Sequence, residues 1–201
     1  NVLFNTMRGG FYCDTYSIDT VAFAKHVKTF NKDVYQQYEQ WLHQLPKTID
    51  YVELQEKVDA MADSDMQRQL KRLTLEYLPL TFSRRHGDPS RPWNLFNIRV
   101  NDEQGNRLIS YQGNWRDIFQ NWEALSVSYP LYINGIISKF LNATTIDGYN
   151  PYRVTSEGID WEVIVPNDPW SNIGYWGDHQ IIYLLKLLEL SYDHNPKALE
   201  A

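Results

Sequence analysis

Apolar residues in the first third of the chain recur every three or four positions, which is the spacing of amphipathic helices. The stretches Val21–Val27 and Val34–Leu45 predict two helices or one bent helix, and Pro46 ends the second stretch. Leu54–Met61 and Met66–Tyr77 repeat the spacing and predict two more helices. The amino-terminal region is therefore predicted to be mainly helical.

The middle of the chain interrupts this period. Phe82–Asn97 contains two prolines, one glycine and four Arg or His side chains, which predicts an ordered loop or a crossing segment. Ile98–Val100 and Arg107–Tyr111 flank a polar turn and predict a short β-hairpin, in which Gly105 takes a positive φ. This hairpin is the one sheet that the sequence predicts.

Helical spacing returns at Ile118–Leu125 and Ile133–Leu141, which together predict a helical hairpin. A last helix is predicted from about Asp178 to Tyr192. Residues 143–176 between them are rich in Gly, Pro, Asn, Asp, Tyr and Trp and have no period of their own. Because a long loop of this kind usually carries a site, we expect the functional residues here and at the neighbouring helix ends.

Charge and hydropathy narrow the range of partners. The 201 residues include 19 Lys and Arg against 25 Asp and Glu, a formal net charge of −6, and no apolar run of 18 residues. Such a chain lacks the basic surface that binds nucleic acid and the segment that spans a bilayer, so we expect neither nucleic acid nor membrane as a partner.

Several chemistries lack their motifs. Cys13 is the only cysteine, the chain has no G-x-S-x-G and no phosphate-cradling glycine loop, and its histidines do not form an H-x-x-x-H pair. We therefore expect no metal and no organic cofactor. One cysteine leaves the compartment open, with the cytoplasm as the working expectation. Because the chain opens at Asn1 on an apolar run, we read it as part of a longer chain.

A short motif occurs twice. Gly113–Asp117 and Gly174–Asp178 both read G-x-W-x-D, and each precedes a predicted helix. The aspartates are 61 residues apart, about two helices and their loops, so both are expected at helix N-termini on the same rim. The alternative is that the aspartates are N-caps and that the tryptophans fill the space between helix ends.

Carboxylates beside aromatic residues suit glycosidic chemistry. One carboxylic acid gives a proton to the leaving oxygen while a second group activates water or positions phosphate. Aromatic rings, of which the chain has 7 Trp and 14 Tyr, stack on sugars. The candidate catalytic residues are Asp117, Asp178, Glu123 and Glu162. The candidate substrate-binding residues are Trp115, Arg116, Trp122, Asn150, Arg153, Asp160, Trp161, Trp176 and His179.

Four segments resemble the six-hairpin glycosidase group, most nearly its cellobiose-phosphorylase-like members: Tyr111–Leu125, Asp147–Arg153, Gly158–Glu162 and Asp168–Glu189. The resemblance implies a mainly α fold in which helical hairpins form part of an (α/α)6 toroid. It also implies that residues 1–201 are a single helical domain, a fragment of a larger catalytic domain whose remainder is a partner of this chain.

The resemblance further implies an inverting glycoside hydrolase or phosphorylase that acts on gluco-oligosaccharides, with inorganic phosphate as co-substrate in the second case. Asp178 then matches a sugar-contacting aspartate. Gly113–Asp117 is similar to the segment that carries the general acid, with Asn114 and Arg116 as departures, and also to a Trp-Arg-Asp that only binds sugar. Two alternatives stay open: a noncatalytic carbohydrate-binding or structural part of a larger protein, and a helical interaction domain whose tryptophans are all core.

Overall fold

The computed structural model describes residues 10–12, 14–85, 95–96, 101–105, 108–161, 166–167, 175–176 and 181–199. The described chain is mainly helical and divides into two compact units. Tyr12–Pro79 forms the first, which we call the inserted unit. The second, the outer unit, takes the chain on both sides of it, before Tyr12 and after Pro79. The single domain over residues 1–201 that the resemblance implies stays a prediction.

The inserted unit contains the four helices that the period predicts. They are α1 (Thr20–Phe30), α2 (Lys32–Gln44), α3 (Tyr51–Asp59) and α4 (Asp65–Leu75). The first two are separate helices rather than one bent helix, because Asn31 has φ −154° and ψ 102° between them.

A short antiparallel pair joins the starts of these helices. Strand β2 (Ser17–Asp19) leads into α1 and strand β3 (Thr48–Asp50) leads into α3, with Ile18 opposite Ile49. Both isoleucines are buried. The pair thereby fixes where α1 and α3 begin.

Each of these helices has a side-chain cap at its N-terminus. Asp19 accepts from the Ala22 amide at 2.8 Å, and Asn31 accepts from the amides of Asp33 and Val34 at 3.1 Å. A cap of this kind contributes about 1 kcal/mol because it satisfies amides that the helix leaves open. The other two caps are Asp50 for α3 and Ser64 for α4.

The core of the inserted unit is built from the apolar faces of its helices. Phe23, Val34, Leu54 and Leu70 come from the four helices in turn, and all are fully buried. His26 is also buried, and its Nε2 lies 3.2 Å from the Leu73 carbonyl oxygen. This buried imidazole thus finds a backbone partner, as burial requires.

Tyr51 makes the stability of the inserted unit pH-dependent. Its hydroxyl donates to the Leu75 carbonyl at 3.2 Å, and burial, followed by the charge of Tyr16, raises its pKa above the ordinary value. Because the folded state disfavours the phenolate, stability is retained below the unfolded-state pKa of about 10 and is lost as the pH rises above it. We expect the free energy of unfolding to fall by up to about 1.4 kcal/mol per pH unit there.

Urea unfolding followed at pH 8, 10 and 11 measures this loss. The Tyr51→Phe variant should have a lower stability at pH 8, because the Leu75 carbonyl loses its donor. Between pH 10 and 11 its stability should fall less than that of the wild type. Equal alkaline slopes for the two proteins would show that Tyr51 is not the responsible group.

The outer unit contains a six-stranded sheet that the sequence does not predict. The strands are β1 (Gly10–Tyr12), β4 (Leu80–Arg85), β5 (Leu95–Phe96), β6 (Tyr111–Asn114), β8 (Arg153–Thr155) and β9 (Gly158–Asp160). Their order in the sheet is β1-β4-β6-β8-β9, with β5 paired to β4. Strand β4 pairs with β6 in parallel, whereas β6 with β8 and β8 with β9 are antiparallel.

The structure describes only part of the predicted hairpin. Gly105 has φ 83° and its amide donates to the Asp102 carbonyl at 3.1 Å, which confirms the predicted turn. Residues 97–100 and 106–107 of its arms lie outside the described residues. Tyr111, predicted in the second arm, instead begins β6 and pairs with β4. Strands of two to six residues are too short for their alternation to stand out in a sequence.

Three α-helices complete the described part of the outer unit. They are α5 (Trp115–Ser126), α6 (Ile133–Ala143) and α7 (Ile181–His194). A 3₁₀ turn at Pro130–Tyr132 precedes α6, and another, Pro196–Leu199, follows α7. The predicted helical pair α5–α6 is present, and the toroid stays a prediction. Two short strands, β7 (Tyr149–Asn150) and β10 (Tyr175–Trp176), pair within the segment predicted as a loop.

Two kinds of feature are absent from the described residues. No helix in the described part is both long and apolar enough to cross a membrane. Within the same residues, no group of three or more His, Cys, Asp or Glu side chains could hold a metal ion.

Candidate functional site

The site is built where strand β6 runs directly into helix α5. Asn114 is the last residue of the strand and the N-cap of the helix, and its side chain makes no capping bond. The Trp115 amide donates to the Tyr152 carbonyl at 3.0 Å, and Asn114 lies opposite Arg153 of β8. The start of α5 is thereby held by the sheet and by the chain that enters β8.

A buried polar stripe follows α5 from this end. Asn114, Asp117 and Asn121 lie at i, i+3 and i+7, the spacing of one helix face, and none is more than 3% exposed. The Asn121 Nδ2 donates to the Asp117 carbonyl at 2.6 Å. Asp117 stands in the first turn, as predicted, where the helix dipole favours a carboxylate. It is not the N-cap, because Asn114 occupies that position.

Aromatic side chains surround α5. The centroid of the Trp115 ring lies 4.6 Å from that of Phe119 and 4.9 Å from that of Phe140. The centroid of the Trp122 ring lies 5.1 Å from that of Phe119 and 5.3 Å from that of Tyr111. Both tryptophans are fully buried. We expected them as sugar platforms, but the structure places both in the aromatic core, so neither offers a ring face to solvent.

Several buried polar atoms around α5 have no hydrogen-bond partner in the described part of the protein. They are Asn114 Nδ2, Asn121 Oδ1 and the Nε1 atoms of Trp115 and Trp122. An orphaned buried donor or acceptor costs about 1–3 kcal/mol, and native structures contain few of them. Because four such atoms lie along α5, we infer that the polar side chains of this helix have a role other than stabilising the fold.

Lys139 of α6 is a residue that the sequence analysis missed. Its side chain is only 5% exposed, and Nζ lies 5.9 Å from the centre of the Tyr111 ring. The sequence signal for its burial was its position among Ile136, Ile137 and Phe140, which form the apolar face of a predicted helix. Asn121 was missed as well, although it follows Asp117 by one turn.

A second polar row crosses the sheet beside α5. Arg153 of β8 lies opposite both Asn114 of β6 and Asp160 of β9. Directly opposed residues of antiparallel strands share a face, so the three side chains form one row. The Arg153 Nε donates to Asp160 Oδ2 at 2.7 Å. Trp161 follows Asp160 in the chain and is 45% exposed.

We expect the Arg153–Asp160 pair to contribute little to stability. Its side chains are 33% and 47% exposed, and solvent screens a pair of this kind. A double-mutant cycle with Arg153→Ala and Asp160→Ala, measured by urea unfolding, should give a coupling energy below about 1 kcal/mol. A coupling of several kcal/mol would show that the pair is a structural clamp rather than an available binding group.

The other described candidates have structural contacts. Glu123 reaches Lys186 of α7 at 3.6 Å, so this carboxylate pairs with a cation. Asn150 is buried and its Oδ1 accepts from the Thr144 hydroxyl at 2.9 Å, which ties β7 to the end of α6. Glu123 and Asn150 thus both stabilise the fold through these contacts, and neither contact prevents the residue from binding a ligand.

The remaining candidates are beyond what the structure describes. Glu162, Asp178 and His179 lie outside the described residues, and for Arg116 and Trp176 only the backbone is described. The shared concavity of the two G-x-W-x-D segments, and the distance between their carboxylates, therefore stay predictions. For the first of the two segments, the structure confirms that the aspartate, Asp117, lies in the first turn of a helix.

Comparison with known proteins gives one family match. Residues 12–79 match the family described as Glycoside hydrolase family 149 insertion domain 1. These bounds coincide with the inserted unit, Tyr12–Pro79, and cover about a third of the chain. No curated protein matches the sequence. The six-hairpin and cellobiose-phosphorylase-like grouping stays a prediction, and the similarity to glycoside hydrolases is that of residues 12–79 to one of their insertion domains.

Proposed function

We propose that the outer unit carries the site of a carbohydrate-active enzyme, an inverting glycoside hydrolase or phosphorylase acting on gluco-oligosaccharides. The observation that carries the proposal is the buried polar stripe Asn114–Asp117–Asn121 at the start of α5, with orphaned polar atoms beside it. A charged residue at such a place is costly unless it has a task. The match of the inserted unit to a glycoside hydrolase insertion domain supports the reaction class.

Asp117 would act on the sugar at the cleaved bond. It would either donate the proton to the leaving oxygen or bind a sugar hydroxyl, the two roles that the resemblance implies. In the inverting reaction the second group activates a water molecule on the opposite face of the ring, or phosphate takes the place of that water. Asp178 and Glu162 are the proposed second carboxylates, and a separation of about 6.5–9.5 Å between the pair would suit inversion.

The polar row beside α5 would hold the rest of the oligosaccharide. Trp161 offers an accessible ring for stacking, and Arg153 and Asp160 offer a donor and an acceptor for hydroxyl groups. The remaining proposed contacts are Arg116, Asn150, Trp176 and His179.

The test is an assay of the full-length protein on gluco-disaccharides of different linkages, with and without inorganic phosphate. Release of glucose alone would indicate hydrolysis, and a sugar 1-phosphate formed only with phosphate would indicate phosphorolysis. Proton NMR of the first product should show the inverted anomer. Failure to bind or cleave any member of a broad panel would contradict the proposal.

A noncatalytic carbohydrate-binding or structural role is the second candidate. The structural role is favoured by the full burial of Trp115 and Trp122 and by the ion pair of Glu123 with Lys186, whereas the binding role would depend on the exposed ring of Trp161. Calorimetric binding of an oligosaccharide that the full-length protein never cleaves would select this candidate over the first.

A further inference from the structure

We propose that the folded inserted unit acts as a clasp that keeps strand β1 paired with strand β4. The chain leaves the sheet of the outer unit at the end of β1, forms the inserted unit, and returns at the start of β4. In the sheet β1 and β4 are hydrogen-bonded neighbours, about 4.8 Å apart. The two ends of one folded body are thus attached to two adjacent strands.

The physical basis is the entropy of closing a loop. While the inserted unit is folded, Tyr51 holds its two ends: the Tyr51 amide donates to the Tyr16 carbonyl at 2.9 Å and the Tyr51 hydroxyl donates to the Leu75 carbonyl at 3.2 Å. When it is unfolded, residues 13–79 become a flexible loop of 67 residues between β1 and β4. The probability of closing such a loop falls as the three-halves power of its length, so the pairing of β1 with β4 weakens by up to about 500-fold.

Strand β1 depends on this effect more than its neighbours do. It contributes three residues to the sheet, whereas β4 is also paired with β6 through Phe82, Ser83 and Arg84. Loss of β1 would therefore leave the β4–β6 pair in place and expose the edge of β4 that precedes its pairing with β5 at Arg84 and Arg85. Whether the inserted unit is folded would therefore decide whether β1 covers the edge of β4 in the outer unit.

Hydrogen exchange in the full chain, followed through a urea titration, tests the clasp. Leu70→Asp places an unpaired charge in the core of the inserted unit, and Gln69→Asp places the same charge on the exposed neighbouring position. In the Leu70→Asp variant, the peptide covering Gly10–Tyr12 should lose protection at the same lower urea concentration as the inserted unit, whereas Leu80–Arg85 should keep the protection that its pairing with β6 provides. Peptides from α6 should keep their wild-type midpoint, and Gln69→Asp should change none of them.

Two results would overturn the clasp in this titration. One is that the Gly10–Tyr12 peptide keeps the midpoint of α6 while the inserted unit unfolds earlier. The other is that α6 shifts together with the inserted unit, because the two units would then unfold as one body. Neither result depends on a substrate, so the clasp and the proposed enzymatic function can fail separately.

A second variant separates loop length from any other effect of the inserted unit. Replacing residues 13–78 by ten Gly and Ser residues gives a short loop, which should weaken the β1–β4 pair by only about 30-fold relative to the clasped state. Its Gly10–Tyr12 peptide should exchange more slowly than that of the Leu70→Asp variant in the same buffer. Equal or faster exchange would overturn closure as the mechanism.

Discussion

Replacing Asp117 by asparagine in the full-length protein is expected to lower turnover on its oligosaccharide by more than about a hundredfold. A positioned proton donor contributes on the order of 10²–10⁴ in rate, and asparagine cannot donate that proton. The stability cost should stay near or below about 1 kcal/mol, because the amide has the shape of the carboxylate and the interaction of a carboxylate with the helix dipole at the start of α5 is of that size. Steady-state kinetics and thermal unfolding measure the two effects.

A matched control for this variant is Asp147→Asn, which makes the same chemical change at an exposed residue between α6 and β7. Its rate and stability should equal those of the wild type. An Asp117→Asn protein with raised KM and unchanged turnover would assign Asp117 to sugar binding alone. Wild-type values for both constants would remove Asp117 from the site and direct attention to Asp178, Glu123 and Glu162.

The second large effect concerns Trp122 and Trp161, which were both predicted to contact the substrate. Trp122→Ala is expected to lower the free energy of unfolding by about 3–5 kcal/mol, because the residue is fully buried against Phe119 and Tyr111. Trp161→Ala removes a ring that is 45% exposed, so its stability should change by less than about 1 kcal/mol. Urea unfolding distinguishes the two.

Oligosaccharide binding should show the opposite order. Trp161→Ala should weaken binding by about tenfold or more if its ring stacks on a sugar, since a stacked aromatic pair is worth about 0.5–1.5 kcal/mol beyond the area it buries. A Trp122→Phe variant that stays folded should bind as the wild type does. Normal binding by Trp161→Ala would exclude this ring as a platform.

The periodic parts of the sequence predicted the helices well, because each helix of the inserted unit packs one apolar face. Val34 and Leu42 are buried on α2 as their spacing requires, and Pro46 follows its end. Gly105 is at positive φ, as the turn chemistry predicts. The sheet of the outer unit was missed because a three-residue strand such as Arg153–Thr155 is defined by its partners and not by a pattern of its own.

The candidate site was predictable only in part. Local sequence placed Asp117 at a helix start, and the structure agrees. It could not show that Asn121 shares its buried face, because burial on every side of a helix depends on neighbours distant in sequence. Trp122 illustrates the same limit: its spacing with Ile118 and Leu125 indicated an apolar face, while its residue type alone had suggested a sugar contact.

The parallel pairing of β4 with β6 also bears on the order in which the outer unit folds. Some 25 residues separate the two strands, and β8 is further along the chain, whereas α5 and α6 are neighbours in sequence. Contacts between distant segments form late, because loop closure precedes any gain from pairing. We therefore expect the helical pair to collapse first in refolding, and the junction of β6 with α5, where Asp117 stands, to acquire its final geometry last.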